Sequence, residues 1–450
     1  MECPYSSLEN DFAFILFHTL ISGYKAILSM GTIIRECQTG LPSHLLDTAH
    51  AEQMTPERLA ARISAGTVVV PQNILRADTS FVIPPAIGEG CRVKVNVNVG
   101  TSASRCDPDL EYKKACAAIE NGTDAIMDLS TAGNLKAIRA SIRSLDSTLG
   151  TVPIYEAVRR AGNVADLDAD LLFSVIREHC KEGVDFVTLH CGVNLEVLQS
   201  LRSDPRTMGV VSRGGVFHTA HMITSGLENP LWSEFEYLLE ILAEYEVTLS
   251  LGDGMRPGCH DDATRHAKTV EYLNLGKLAS RSLKAGVQRM IEGPGHIPLD
   301  QIGYNVSMMK ELSQNTPLYL LGPLVTDIGA GYDHVVGAIG GVMACAHGAD
   351  FLCMVSPSEH LALPDVSDII EGTRVCVLAA HIGNLSRNLP TAKAREIEMG
   401  VARSTLDWER QFSCTLFPEV ARSIHSRDDA GDTCSMCGDL CAIKMLKEVL

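Results

Sequence analysis

The chain has no surplus of positive charge. Its 55 Asp and Glu outnumber its 38 Lys and Arg, for a formal net charge of -17 over 450 residues. Sequence-independent nucleic-acid binding needs clustered cations against phosphate, so this balance argues against that class. An anionic small ligand has to be met by a few local positive groups instead. No apolar run reads as a membrane span or a secretory leader either. The stretch Phe12 to Ile21 is short, is interrupted by His18, and follows Glu2, Glu9 and Asp11 in place of a basic start. An early Gly-x-Gly-x-x-Gly turn, the mark of a dinucleotide-binding fold, is also missing. Cysteine is abundant by contrast. Fifteen residues, an odd number without a repeating framework, point to buried thiols in a reducing cytoplasm and away from a secreted disulfide scaffold.

An apolar content of 46% and a mean hydropathy of +0.09 describe an ordinary globular protein, long enough to bury a large core. A second methionine, Met30, precedes the first globular-looking segment, so residues 1–29 are expected to be an extension or a loosely attached helix. A lead-in helix begins at Thr55-Pro56, with proline at the first helical position. Short apolar runs then recur at Val93 to Val99, Ala125 to Leu129, Val152 to Tyr155, Phe186 to His190, Gly209 to Arg213, Val247 to Leu251, Val287 to Glu292, Leu318 to Leu321 and Phe351 to Val355. Stretches of helical period lie between most of them, among them Asp107 to Asn121, Asp168 to Glu182, Leu231 to Tyr245 and Asp262 to Ala285.

Such alternation predicts an α/β fold with a parallel sheet and helical crossovers. Asn98, Asp128, Glu156, His190, Arg213, Asp253, Glu292 and His360 each fall at or just past the end of a run. A closed (β/α)8 TIM-type barrel gathers those ends at one mouth, so the barrel is preferred over an open sheet. Nine runs compete for eight strands, so one is expected to be a loop or an additional strand. The organisation expected is a lead-in over residues 1–91, a barrel over 92–366, a helical domain over 367–422, and a tether with a cysteine-bearing tail over 423–450.

Several motifs carry candidate chemistry. Ser212-Arg-Gly-Gly215 and Gly252-Asp-Gly-Met-Arg-Pro-Gly258 could cradle a phosphate through backbone N–H groups and an arginine fork, or could be structural turns. Glu292-Gly-Pro-Gly-His296 and Ser358-Glu-His360 each set a histidine beside a carboxylate, and the two histidines could share a metal. Cys434, Cys437 and Cys441 form a C-x2-C-x3-C run. Three thiolates can hold a metal or cluster with one position open; the competing reading is a zinc knuckle completed by a fourth ligand such as His425.

Taken together, these motifs resemble a known family. Asn96-Val-Asn-Val-Gly-Thr-Ser102, Met127-Asp-Leu-Ser-Thr131, Thr151-Val-Pro-Ile-Tyr155, Leu321-Gly-Pro-Leu-Val-Thr-Asp327, Gly331-Tyr-Asp-His334 and Glu359-His-Leu361 occur with the motifs above in the order found in the phosphomethylpyrimidine synthases, a non-standard group of radical S-adenosylmethionine enzymes. The resemblance covers about Thr55 to Lys444. It implies a barrel with a C-terminal cluster domain, a homodimer, the substrate 5-aminoimidazole ribotide, and a one-electron reductant such as flavodoxin or ferredoxin. Carried over by motif, the ribotide contacts are Asn98, Met127, Tyr155, His190, Ser212, Arg213, Gly214, Asp253, Gly254, Met255, Arg256, Glu292 and Tyr319, with Glu292 also catalytic. His296 and His360 are implied ligands of zinc or another divalent metal. Cys434, Cys437 and Cys441 are implied ligands of a catalytic 4Fe-4S cluster whose fourth iron binds S-adenosylmethionine.

The chain departs from the thiamin pyrimidine enzyme in places. Val216-Phe-His-Thr-Ala-His221 stands where the family has Ser and an apolar run, Gly329-Ala330 where it has Ala-Pro, and Met354 and Ser356 where it has Tyr and Thr. Three residues separate Cys437 from Cys441 where four are usual. On these grounds the expected product is that of the paralogue 5-hydroxybenzimidazole synthase, which serves anaerobic cobalamin synthesis. The thiamin pyrimidine synthase is the first alternative, and a non-catalytic zinc-binding barrel is the alternative of another class.

Overall fold

The computed structural model describes residues 31–77, 83–427 and 433–449. The expectation for residues 1–29 lies outside them. The chain divides into two compact units, one ending at Ala380 and the other His381–Leu450.

In the first unit two short antiparallel strands, β1 (Val68–Val69) and β2 (Ile87–Gly88), precede a barrel. Eight parallel strands close on themselves to form it: β3 (Lys94–Val99), β4 (Ala125–Asp128), β5 (Thr148–Thr151), β6 (Phe186–Leu189), β7 (Thr248–Leu251), β8 (Arg289–Gly293), β9 (Leu318–Leu321) and β10 (Phe351–Cys353), with β10 pairing back on β3. The barrel strands are buried almost throughout, which is why they read as continuous apolar runs and not as alternating ones. Helices follow the strands and start where short polar side chains cap them. Asp107, Asn134, Asp168, Asn194 and Ser212 each accept a backbone N–H of the first turn.

The fold is the expected TIM-type barrel, with two of the nine runs placed differently. Val152 to Tyr155 is no strand. The strand is Thr148–Thr151, and Pro153 opens the helix Pro153–Ala161, because a proline can start a helix but cannot donate to a ladder. Gly209 to Arg213 is the surplus run. Gly209 takes a φ of +63°, and Ser212 caps the helix Arg213–Ser225. The N-terminal segment closes the opposite end of the barrel. Val70 exchanges two hydrogen bonds with the Gln288 side chain at 2.7 and 3.1 Å, Arg289 donates to Gly66 O at 2.9 Å, and Arg76 pairs with Asp185.

In the second unit the helices Pro390–Thr405, Trp408–Cys414 and Pro418–His425 pack in sequence, and Arg395 donates to Cys414 O and Thr415 O at 2.7 and 2.8 Å. The stretch expected to be a tether from Ser423 starts instead as the last turn of a helix, where the His425 ring lies 4.0 Å from that of Trp408.

Candidate active site

Every strand of the barrel, or the turn that follows it, brings a side chain to one mouth. A cavity there is lined by Asn98 on β3, Met127 on β4, Thr188 on β6, Glu292 on β8, Tyr319 on β9 and Cys353 on β10. Val152, His190, Asp253 and Arg256 join them from the turns after β5, β6 and β7, and Tyr155 from the first turn of the helix Pro153–Ala161. This is the C-terminal end of the barrel, where a parallel strand leaves its side chains pointing into a shared space.

The polar groups fix one another. Glu292 accepts from Thr188 Oγ1 at 2.7 Å and from Ser250 Oγ at 3.1 Å. Burial pushes its carboxyl up, with Thr188 and Arg256 opposing. Asp253 is driven well above the usual carboxylate range by burial, and Arg256 at 3.4 Å opposes that. Asn96 Nδ2 donates to the Tyr319 hydroxyl at 2.7 Å and to Asn98 Oδ1 at 2.8 Å. Asn98 in turn donates to Cys353 Sγ at 3.2 Å. Burial pushes that thiol up to about 12, so it stays protonated at neutral pH.

His190 is neutral, since burial holds it well below its ordinary value. Its Nε2 lies 3.0 Å from Ser212 Oγ, which also accepts the Gly215 N–H at 3.2 Å. The ring fits between two glycines. A Cβ on Gly214 would stand 2.2 Å from it, and one on Gly252 3.0 Å. The two glycine-rich loops themselves meet backbone to backbone, for a Cβ on Gly215 would come within 2.3 Å of Gly254 O.

Of the residues singled out in the sequence, eight line this cavity: Asn98, Met127, Tyr155, His190, Asp253, Arg256, Glu292 and Tyr319. Arg213 does not. Its guanidinium sits 4.9 Å over the Tyr155 ring and lines a second, larger cavity with Asn98, Thr101, Ser102, Lys114, Thr131, Ser356 and Glu359. Ser212, Gly214, Gly254 and Met255 line neither; Ser212 and Gly214 support His190, and the Met255 side chain is buried with Val193, Val197 and Met222. Thr188, Ser250, Asn96 and Cys353 were missed. Thr188, Ser250 and Cys353 lie at or next to strand ends, which was the available signal, while Asn96 is in the middle of β3; small polar residues in strands rarely announce a site.

His296 and His360 meet at the same end. Their Nε2 atoms lie 3.2 Å apart, while His296 Nδ1 stands 2.9 Å from Asp327 and His360 Nδ1 3.1 Å from Asp333. Two nitrogens bound to one tetrahedral zinc at about 2.0–2.1 Å are separated by about 3.3 Å, so the pair has the bite of a metal site with each ring steadied by a carboxylate. Among the described residues no group of three His, Cys, Asp or Glu is arranged to hold a metal. In the second unit, Cys434, Cys437 and Cys441 flank a turn in which Gly438 takes a φ of +51°, and its N–H donates to Cys434 O at 3.0 Å. Backbone donation from Cys437 lowers the Cys434 thiol, whereas desolvation and the neighbouring Cys434 raise that of Cys437.

Residues 32–448 match the Radical SAM ThiC family, and the chain belongs to that family. Its relatives include the phosphomethylpyrimidine synthase of Methanopyrus kandleri, 47% identical over 428 residues, 93% of this chain and 99% of that one. That of Archaeoglobus fulgidus is 49% identical over 422 residues, again 93% and 99% of the two chains. Phosphomethylpyrimidine synthase 2 of Methanosarcina barkeri is 48% identical over 422 residues, 93% and 98%. Membership makes this a radical S-adenosylmethionine enzyme of the kind that uses a 4Fe-4S cluster. The names of these relatives agree with the pyrimidine alternative better than with the expected benzimidazole product.

Proposed function

We propose that the chain is a phosphomethylpyrimidine synthase, converting 5-aminoimidazole ribotide to the phosphorylated hydroxymethylpyrimidine of thiamin at the mouth of the barrel. The observation that carries this reading is the near full-length identity of 47–49% to proteins of that name, joined to a cavity lined by eight of the implied ribotide contacts.

The protein's part is binding, orientation and exclusion of water. Arg256 supplies the positive charge that a phosphorylated ligand needs inside an acidic chain, and Asp253 holds its guanidinium from one side. Neutral His190, held by Ser212 and packed between Gly214 and Gly252, offers the cavity a ring in one orientation. Glu292, steadied by Thr188 and Ser250, is the group placed to hold or move a proton, since it lines the cavity and its carboxyl is raised by desolvation. Cys434, Cys437 and Cys441 would hold the cluster, which supplies the electron for cleavage of S-adenosylmethionine. His296 and His360 would hold a divalent ion such as zinc, which would supply a Lewis acid there. A homodimer, a flavodoxin or ferredoxin reductant and a cytoplasmic setting belong to the same proposal. No helix among the described residues is long and apolar enough to cross a membrane.

Anaerobic turnover of the iron-loaded protein with ribotide, S-adenosylmethionine and dithionite, followed by mass spectrometry, tests the reading. A phosphorylated hydroxymethylpyrimidine is expected. Hydroxybenzimidazole in its place would overturn it in favour of the paralogue. A protein that takes up zinc alone and shows no visible absorption bleached by reductant would point to the non-catalytic barrel.

A further inference from the structure

Behind the two glycine-rich loops lies a set of buried charges that touches neither cavity. Glu271, on the helix His266–Ala285, is fully buried and accepts the backbone N–H groups of Gly254 and Met255, both at 2.8 Å. Arg206, in the segment leading to Ser212, crosses to the other loop and donates to Met255 O at 3.1 Å and to Arg256 O at 2.9 Å. The exchange also runs the other way. Asp262, beyond the second loop, accepts the backbone N–H groups of Thr207 at 2.7 Å and Met208 at 2.9 Å.

Each loop therefore uses a charged side chain to satisfy the backbone of its neighbour, and Glu271 anchors the seam from beneath. Two N–H groups and two carbonyls of consecutive residues are held at once, which leaves the backbone from Gly254 to Arg256 little freedom. That backbone carries Asp253 and Arg256 into the cavity. The close approach of Gly215 to Gly254 makes the arrangement exacting, because neither loop can shift without striking the other. Burying a carboxyl group and a guanidinium here is costly, so a role as mere filler would be served better by apolar side chains.

We propose that Arg206 and Glu271 are positioning residues for the ligand-binding site, lacing the two loops into one rigid cradle that sets Asp253 and Arg256 against the phosphorylated substrate. The ligand in this statement rests on the function proposed above; the lacing does not. Displacement of a binding group by about 1 Å is enough to cost large factors in binding and rate.

The full-length protein and the variants Glu271→Leu, Glu271→Gln, Arg206→Met and Arg206→Lys would be compared in two measurements. These are equilibrium binding of aminoimidazole ribotide, and hydrogen exchange of peptides spanning residues 252–258. E271L and R206M are each expected to weaken binding about tenfold or more, the double variant little further because both cut one device, and exchange to quicken in the loop. E271Q retains one acceptor and R206K one donor, so each is expected to lose only ~3-fold. Folded E271L and R206M proteins with wild-type binding and wild-type loop exchange would sink the proposal. If those two variants fail to fold, E271Q and R206K decide it, since wild-type behaviour of both in both measurements also overturns the lacing. If the parent itself binds no ribotide, the functional reading fails instead, and the exchange data alone judge the lacing.

Discussion

The Nε2 atoms of His296 and His360 face each other at 3.2 Å, and each ring is gripped from behind by a carboxylate, Asp327 for one and Asp333 for the other. Sixty-odd residues separate the two histidines, and separate loops deliver them. This geometry predicts that purified protein binds one divalent ion, zinc by preference, and that His360→Ala abolishes its retention. Asp327→Asn should weaken it about 10- to 100-fold by loosening the ring. Metal content by plasma mass spectrometry after dialysis checks both; undiminished zinc in H360A would exclude the site.

Gly215 has no room for a side chain. Its Cβ would sit 2.3 Å from Gly254 O, a backbone atom that cannot rotate away. Gly215→Ala is therefore expected to force the two loops apart, raising the KM for ribotide about tenfold or more and destabilising the fold by about 1–3 kcal/mol. Thermal melts and steady-state kinetics separate the two effects. Gly162→Ala is a control without crowding, since nothing lies within 4 Å of the new Cβ, though its φ of +80° brings its own modest strain.

Glu292 is engaged by Thr188 and Ser250 and linked to Arg256, so its removal should act on turnover more than on folding. Glu292→Gln keeps the shape and loses the titrating proton. We expect kcat to fall about 10²-fold or more, with ribotide binding changed much less. Single-turnover product yield and a binding isotherm on the same preparation give the comparison, and an unchanged kcat would remove Glu292 from proton handling.

Far from the mouth, Glu246 is partly buried beside Ile33 and Gln288, and the loss of solvent around its carboxyl raises its pKa to about 8. A folded-state value above that of the unfolded chain means that the native state binds the proton more tightly. The associated stability is fully present below about 4.5 and is lost as pH rises through about 8. Glu246→Gln should flatten this decline, matching the parent near pH 4 relative to its own maximum and falling less than the parent by pH 8.5. Chemical denaturation across that range is the measurement; identical slopes would show that Glu246 does not titrate in the native state.

The barrel was legible because fully buried parallel strands leave a plain mark, short apolar runs with helical stretches between them. Where the reading slipped, local chemistry decided. Val152 to Tyr155 is apolar enough for a strand, but Pro153 turns it into the start of a helix. Gly209 to Arg213 has valines in the middle, yet the N–H groups just before it belong to Asp262 and its final serine caps a helix.

The sequence by itself determined the alternating fold, the family, and the identity of the polar residues at the strand ends, since each follows from order and spacing along the chain. Only the tertiary structure decided which of them share a cavity. Closing β10 onto β3 carries Tyr319 and Cys353 to Asn96 and Asn98, more than 200 positions away in the chain. It also sends Arg213 to a different cavity from Arg256, and reveals Arg206, Glu271 and Asp262 as the fastening between loops. The physical reason is the same in each case. A buried polar group must find its partner in space, and that partner's distance along the chain leaves no local trace.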